Sequence, residues 1–235
     1  RILCKSDGYT CVKIKKHQSW ENLFKDAEQR FLVMRLNRMN TPVYAGMTIA
    51  VPEDLEHVEL MDLAPFPAEI KAPGKKVVIV NPRILAWGAY DADGDLIKWG
   101  PASLGSNWCP DLGHRCHSPV GTFKVYLKGA GSCKSTKFPL PKGGAPMPFC
   151  MFFKGGFALH GEPDGLPGDN VSHGCVRLFD SDAEWLNKNF VDIGTEVIIE
   201  PYGKFLPTLV NKNISRHSNF QNKIQAYIKS LLIKF

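Results

Sequence analysis

Apolar positions in the first fifty residues follow a helical period. Trp20, Leu23, Phe24, Ala27 and Phe31 recur at i, i+3, i+4, i+7 and i+11 and share one face, and Ser19 before them is a good N-cap. A second short helix is expected over 31–39, ended by Asn40-Thr41-Pro42. Short strands at 11–14 and 48–52 flank the pair, which gives a β-α-α-β block within residues 1–57. Pro65, Pro67, Pro73 and Gly74 then mark 58–74 as a linker or a crossing segment. From Lys75 the period shortens. Runs rich in β-branched and aromatic residues occupy 76–80, 84–90, 96–99, 122–127, 149–153, 157–159 and 196–200, separated by turns such as Asp93-Gly94 and Gly155-Gly156. One helix interrupts them, with Ser181 and Glu184 as a capping box and Trp185, Leu186 and Phe190 behind it. The expectation is a mainly β sandwich or barrel with one or two helices over 75–202, preceded by a small α+β domain. A Gly- and Pro-rich stretch, 129–148, is long enough to be either a lid over a cleft or a plain surface loop.

Over 203–235 the pattern turns helical again. Phe220, Ile224, Ile228, Leu231, Leu232 and Phe235 form one stripe with Lys223, Lys229 and Lys234 off it. Charge sharpens the point. The 235 residues carry a net charge of +6, yet positions 201–235 hold six bases and no acid, so the rest of the chain is balanced. With no recognition motif besides, a nucleic-acid partner is not expected. The basic stripe either docks on its own body, the commoner use of such a face, or lies on an anionic membrane surface. No apolar run approaches the ~20 residues that span a bilayer.

Seven cysteines change the compartment. Six lie in local pairs, 4 with 11, 109 with 116 and 133 with 150, although six cysteines allow about 15 connectivities. Cys109, His114, Cys116 and His117 lie close together but lack a CxxC pair, so disulfides are favoured over metal. Together with a start at Arg1, this suggests an exported protein. Cys175 is left without a partner.

That leftover thiol sits in the most reactive stretch of the chain: His160-Gly161, an acidic turn-rich loop, then Ser172-His173-Gly174-Cys175-Val176-Arg177. Read as a strand, His173, Cys175 and Arg177 share a face. A thiolate is the nucleophilic form, and the permanent charge of Arg177 is expected to bias Cys175 toward it while remaining able to hold a carboxylate. Gly174 permits close backbone approach, and adjacent N–H groups can form an oxyanion hole. With His160 returned by the loop, the set is a minimal acyl-transfer pair. His17, His57, His114, His117 and His217 have no such company and are read as ordinary residues.

Two resemblances follow from these residues. The run His160 … Ser172-His173-Gly174-Cys175-Val176-Arg177-Leu178 closely resembles the signature of the L,D-transpeptidase (YkuD) family, as do Ser118-Pro119-Val120-Gly121-Thr122-Phe123 and Met147-Pro148-Phe149 upstream, over about 75–202. The resemblance implies Cys175 as nucleophile and His160 as general base and acid, oriented by the carbonyl of Gly161. It implies the N–H groups of His173, Gly174 and Cys175 as the oxyanion hole, Ser172 and His173 shaping the pocket, and Arg177 on a substrate carboxylate. The implied reaction attacks the bond between a diamino acid and D-Ala in a peptidoglycan stem. It passes the acyl group to a stem amine, an envelope protein's lysine or water, without metal or cofactor, in the bacterial periplasm or envelope. The first block is similar to a LysM domain at Tyr9-Thr10-Cys11-Val12-Lys13, Ser19-Trp20, Leu36-Asn37, Ala45-Gly46-Met47 and Ile49-Ala50-Val51-Pro52. It departs at Lys15-Lys16-His17-Gln18. This second resemblance implies binding to glycan strands.

Overall fold

The computed structural model describes residues 3–203; the basic tail expected over 203–235 lies outside the described residues apart from Gly203. The N-terminal block pairs β1 (Tyr9–Lys13) with β2 (Thr48–Pro52) antiparallel around two helices, α1 (Trp20–Leu23) and α2 (Ala27–Leu36). The helical stripe expected to run unbroken from Trp20 to Phe31 is split. Phe24 is extended, and Asp26 restarts the helix by accepting from the Gln29 N–H. An aspartate carboxylate at an N-cap outweighs continuity of the apolar face.

The remaining strands form one nine-stranded sheet. In chain order they are β3 (Val77–Asn81), β4 (Ala86–Tyr90), β5 (Leu96–Ser103), β6 (Gly121–Lys124), β7 (Leu127–Lys128), β8 (Met151–Lys154), β9 (Phe157–Gly161), β10 (Val176–Leu178) and β11 (Glu196–Ile199). Their spatial order is β6-β11-β3-β4-β5-β10-β9-β8-β7. The sheet curls until its ends approach, with Phe123 of β6 against Phe153 of β8 at 5.5 Å between ring centroids. The core fills the inside of the curl, with Val78, Trp87, Leu104, Met151, Leu159, Val176 and Leu178 all buried. Helix α3 (Asp180–Trp185) and a π-helical turn, Leu186–Phe190, close one side through Ala183 and Leu186.

Several expected boundaries move for local reasons. The run 122–127 divides because β6 pairs with β11 and β7 with β8, so the chain changes neighbours at Val125. Two expected strands start late because Leu85 and Phe149 have left-handed backbones, φ 53° and 57°. β5 continues through Gly100-Pro101 to Ser103. The capping box at Ser181 is not used. Helix α3 begins two residues earlier, after Phe179, with no side-chain cap, and Asp182 is turned inward.

Residues 58–74 run across the sheet face: Leu63, Ala64 and Phe66 are buried among Leu36, Tyr90 and Trp99, and Trp99 Nε1 donates to Leu60 O at 2.7 Å. The N-terminal block reaches the catalytic side as well. Asn40 N donates to Leu166 O at 3.0 Å, and Leu166 N donates to Asn40 Oδ1 at 2.6 Å. These bonds hold the loop that joins β9 to β10. Among the described residues no helix is long and apolar enough to cross a membrane.

Candidate active site

β9 and β10 lie side by side and parallel, with Val176 opposite Leu159 and Arg177 opposite His160. Val176 and Leu159 are fully buried in the core. Because side chains alternate across a sheet, His160, Arg177 and Cys175 fall on the other face. There they line one cavity of about 580 Å³, together with Ser172 and His173. The strand begins only at Val176, and 172–175 is a tight bend. Ser172 Oγ builds that bend by accepting from the Gly174 N–H at 2.9 Å and donating to the Cys175 carbonyl at 2.5 Å. Gly174 has φ 118°, and a Cβ there would run into the Phe157 ring, so glycine is required on both counts. The Gly174 amide, expected in an oxyanion hole, is thus committed to Ser172.

His160 is 4% exposed. Its Nδ1 lies 2.7 Å from Gly161 O. A carbonyl only accepts, so Nδ1 carries the proton and Nε2 keeps its lone pair. Gly161 is itself fixed, its N–H donating to Pro148 O at 2.8 Å. Burial pushes the His160 pKa down to about 4; the Gly161 carbonyl opposes this and the Arg177 charge adds to it. Cys175 is half-buried, and among the described cysteines it is the only free thiol. Burial pushes its pKa up, against the opposing pull of the Ala158 N–H and Arg177. Arg177 does bias Cys175 toward thiolate as expected, but desolvation outweighs its charge. Arg177 is also engaged, its Nε 3.0 Å from Glu162 Oε2. The resting pair is a neutral thiol and a neutral imidazole.

A pH dependence follows. Iodoacetamide alkylation of Cys175 rises only on the alkaline side, beyond the ordinary thiol range near 8.5. Turnover persists below neutrality and fades as pH falls toward about 4, where His160 takes up a proton. An alkylation plateau between about pH 5 and 7, the mark of a thiolate beside an imidazolium, would contradict this assignment.

The cavity walls come from two disulfide-closed loops. Cys109–Cys116 closes one and Cys133–Cys150 ties the base of the other; Cys4–Cys11 is the third bridge, and all three follow the local pairing. The stretch 129–148 forms a wall of the cavity, so it is more than a plain surface loop. Phe138 from it stacks on the His173 ring at 4.4 Å. His173 Nε2 meets both carboxylate oxygens of Asp111, at 3.0 and 2.9 Å. Neither Asp111 nor Phe138 carries a sequence signal. His114 and His117, set aside as ordinary, also line the cavity, and His117 stacks on Tyr202 at 3.8 Å. Cys109, Asp111 and His173 bring donor atoms close together, but Cys109 is held in its disulfide.

A curled, mainly β sheet that carries a carbonyl-oriented histidine on one strand and a cysteine in the bend leading into the adjacent strand defines a cysteine acyl-transfer scaffold. Residues 75–199 match the YkuD family of L,D-transpeptidase catalytic domains, and the chain belongs to that family. Over 48 residues it is 48% identical to probable L,D-transpeptidase 3 of Mycobacterium tuberculosis, a stretch covering 19% of this chain and only 17% of that relative. The solved L,D-transpeptidase of Xylanimonas cellulosilytica is 25% identical with a TM-score of 0.50, over 67% of this chain and 73% of that one. That of L,D-transpeptidase 3 from M. tuberculosis is 27% identical with a TM-score of 0.44, over 54% and 61%.

Proposed function

We propose that this protein is a peptidoglycan L,D-transpeptidase with Cys175 as nucleophile. The observation that carries the reading is that the free thiol and a buried, neutral His160, its Nδ1 fixed on Gly161 O, line the same cavity. His160 Nε2 takes the Cys175 proton as sulfur attacks the carbonyl between the diamino acid and D-Ala of a stem peptide. The N–H groups of His173 and Cys175 receive the developing oxyanion. Gly174 serves by holding the bend through Ser172. His160 then returns the proton to the leaving D-Ala nitrogen, and a thioester remains. An acceptor amine, losing its proton to His160, attacks the thioester and releases Cys175. A buried base with a low pKa suits this sequence, because it stays unprotonated at neutral pH and charges only transiently.

Arg177, with Glu162, supports the floor of the cavity and stands ready for a substrate carboxylate. The N-terminal block serves as a LysM-like glycan-binding unit that raises the local concentration of stems on the polymer. Three disulfides support a location outside the cytoplasm, in the cell envelope. Acceptors fall in two groups, stem amines and a lysine of an envelope protein. The basic tail is assigned to docking on the protein's own body or to a membrane surface.

Incubation with meropenem tests the nucleophile. The expected result is one covalent adduct by intact mass, mapped to Cys175 after digestion. Unmodified protein, or an adduct elsewhere, would overturn the assignment.

A further inference from the structure

The charges around the cavity are unequal. Arg177 is taken by Glu162, and Asp111 by His173. Three other cations line the same cavity, Arg115, Lys134 and Lys137, all exposed. None of them makes an ion pair among the described residues. Asp164 is the one further acid on the lining. The backbone that carries the three cations is tied down. Arg115 lies inside the loop closed by Cys109–Cys116, and Lys134 follows Cys133 of the second bridge. Lys137 precedes Phe138, which is stacked on His173, and its Nζ lies 5.2 Å from that ring's centroid. Like charges gathered around a concave site raise the local concentration of anions.

We infer that Arg115, Lys134 and Lys137 make the cavity mouth selective for anionic acyl donors: stem peptides whose side carboxyl groups are free, over stems in which those groups are amides. The inference rests on the acyl-donor reading above, because it concerns which stems reach Cys175. An amidated stem has nearly the same shape, but it replaces an acceptor oxygen with an NH2 donor and offers these cations no charge. Each exposed cation contributes modestly, and the three act on one ligand.

The test has two arms, run on the full chain and on an Arg115→Gln, Lys134→Gln, Lys137→Gln variant. The first needs no peptidoglycan: Cys175 is alkylated with iodoacetate and with neutral iodoacetamide. The expected result is an iodoacetate-to-iodoacetamide rate ratio that falls about tenfold in the variant, and falls likewise for the unmodified protein as salt rises from about 0.1 to 1 M. The iodoacetamide rate alone shows whether the thiol is intact. In the second arm, free-acid and amidated tetrapeptide stems compete. The expected result is about tenfold faster consumption of the free-acid stem, with the gap closed in the variant. An unchanged alkylation ratio, or a stem preference that survives all three substitutions, would overturn the inference. If the ratio shifts and neither stem is consumed, the anion-selective mouth stands and the acyl-donor reading falls.

Discussion

Cys175→Ala abolishes turnover by about 10⁴-fold or more, since it removes the nucleophile that forms the acyl intermediate. The same change leaves the fold in place. Cys175 is only half-buried and sits at the edge of a small cluster with Met147, Cys150 and Ala158. The bend around it is held by Ser172 and Gly174 through bonds that involve Ser172 Oγ and backbone groups, not the thiol. Thermal unfolding of the variant should thus lie within a few degrees of the parent. Retained turnover would remove Cys175 from its role. Lost turnover with an unfolded chain would show that the site is less independent of the sulfur than its hydrogen bonds indicate.

Asp182→Ala destabilises the protein by about 3–5 kcal/mol, the cost of leaving a buried charge without its partner. Arg35 of α2 and Asp182 of α3 pair in the interior, with side chains 1% and 0% exposed. Arg35 Nη1 also donates to Trp99 O at 3.0 Å, and its guanidinium lies over the Phe31 ring at 4.2 Å. Lys98 Nζ, 3.9 Å from Asp182 Oδ1, is a weaker second partner. The contact is close enough that a Cβ on Gly100 would overlap Asp182 Oδ2, Arg35 Nη1 and Trp87 Nε1. Glycine in the middle of β5 is there for space, not for backbone freedom. The pair ties the N-terminal block to the helix that follows β10, two residues beyond the end of that strand. Urea midpoints for Asp182→Ala and for Arg35→Met with Asp182→Leu measure the effect, and the double variant should recover most of the loss because it buries no lone charge. A loss under about 1 kcal/mol for the single variant would contradict a buried, mutually dependent pair.

What could be read from the chain was local. Strand runs such as 76–80 and 196–200 were legible because buried strands are short and rich in β-branched residues. The cysteine pairs were legible because each closes a short loop. The stretch from Ser172 to Arg177 was legible because its reactive residues are contiguous, and His160 because it ends an apolar run. Other features depend on partners far away in sequence. Asp111 meets His173 across 62 positions and Arg35 meets Asp182 across 147, and no periodicity encodes either. The resting protonation of Cys175 was not legible for a related reason. Sequence displays the neighbouring Arg177 charge, but it does not display burial or the Glu162 carboxylate that engages that charge. Leu85 and Phe149 moved two strand starts because a left-handed backbone at a bulky residue is set by its surroundings.

Acyl transfer from a stem peptide through Cys175 is the proposed reaction. Its most direct test incubates the protein with a disaccharide-tetrapeptide, with and without an amine acceptor, and follows the products and the protein by mass. The expected products are released D-Ala, a thioester at Cys175 whose added mass is that of the donor less D-Ala, and a cross-linked product when acceptor is present. Tripeptide as the sole product in the presence of acceptor, or consumption of the stem with no acyl group ever found on Cys175, would contradict it.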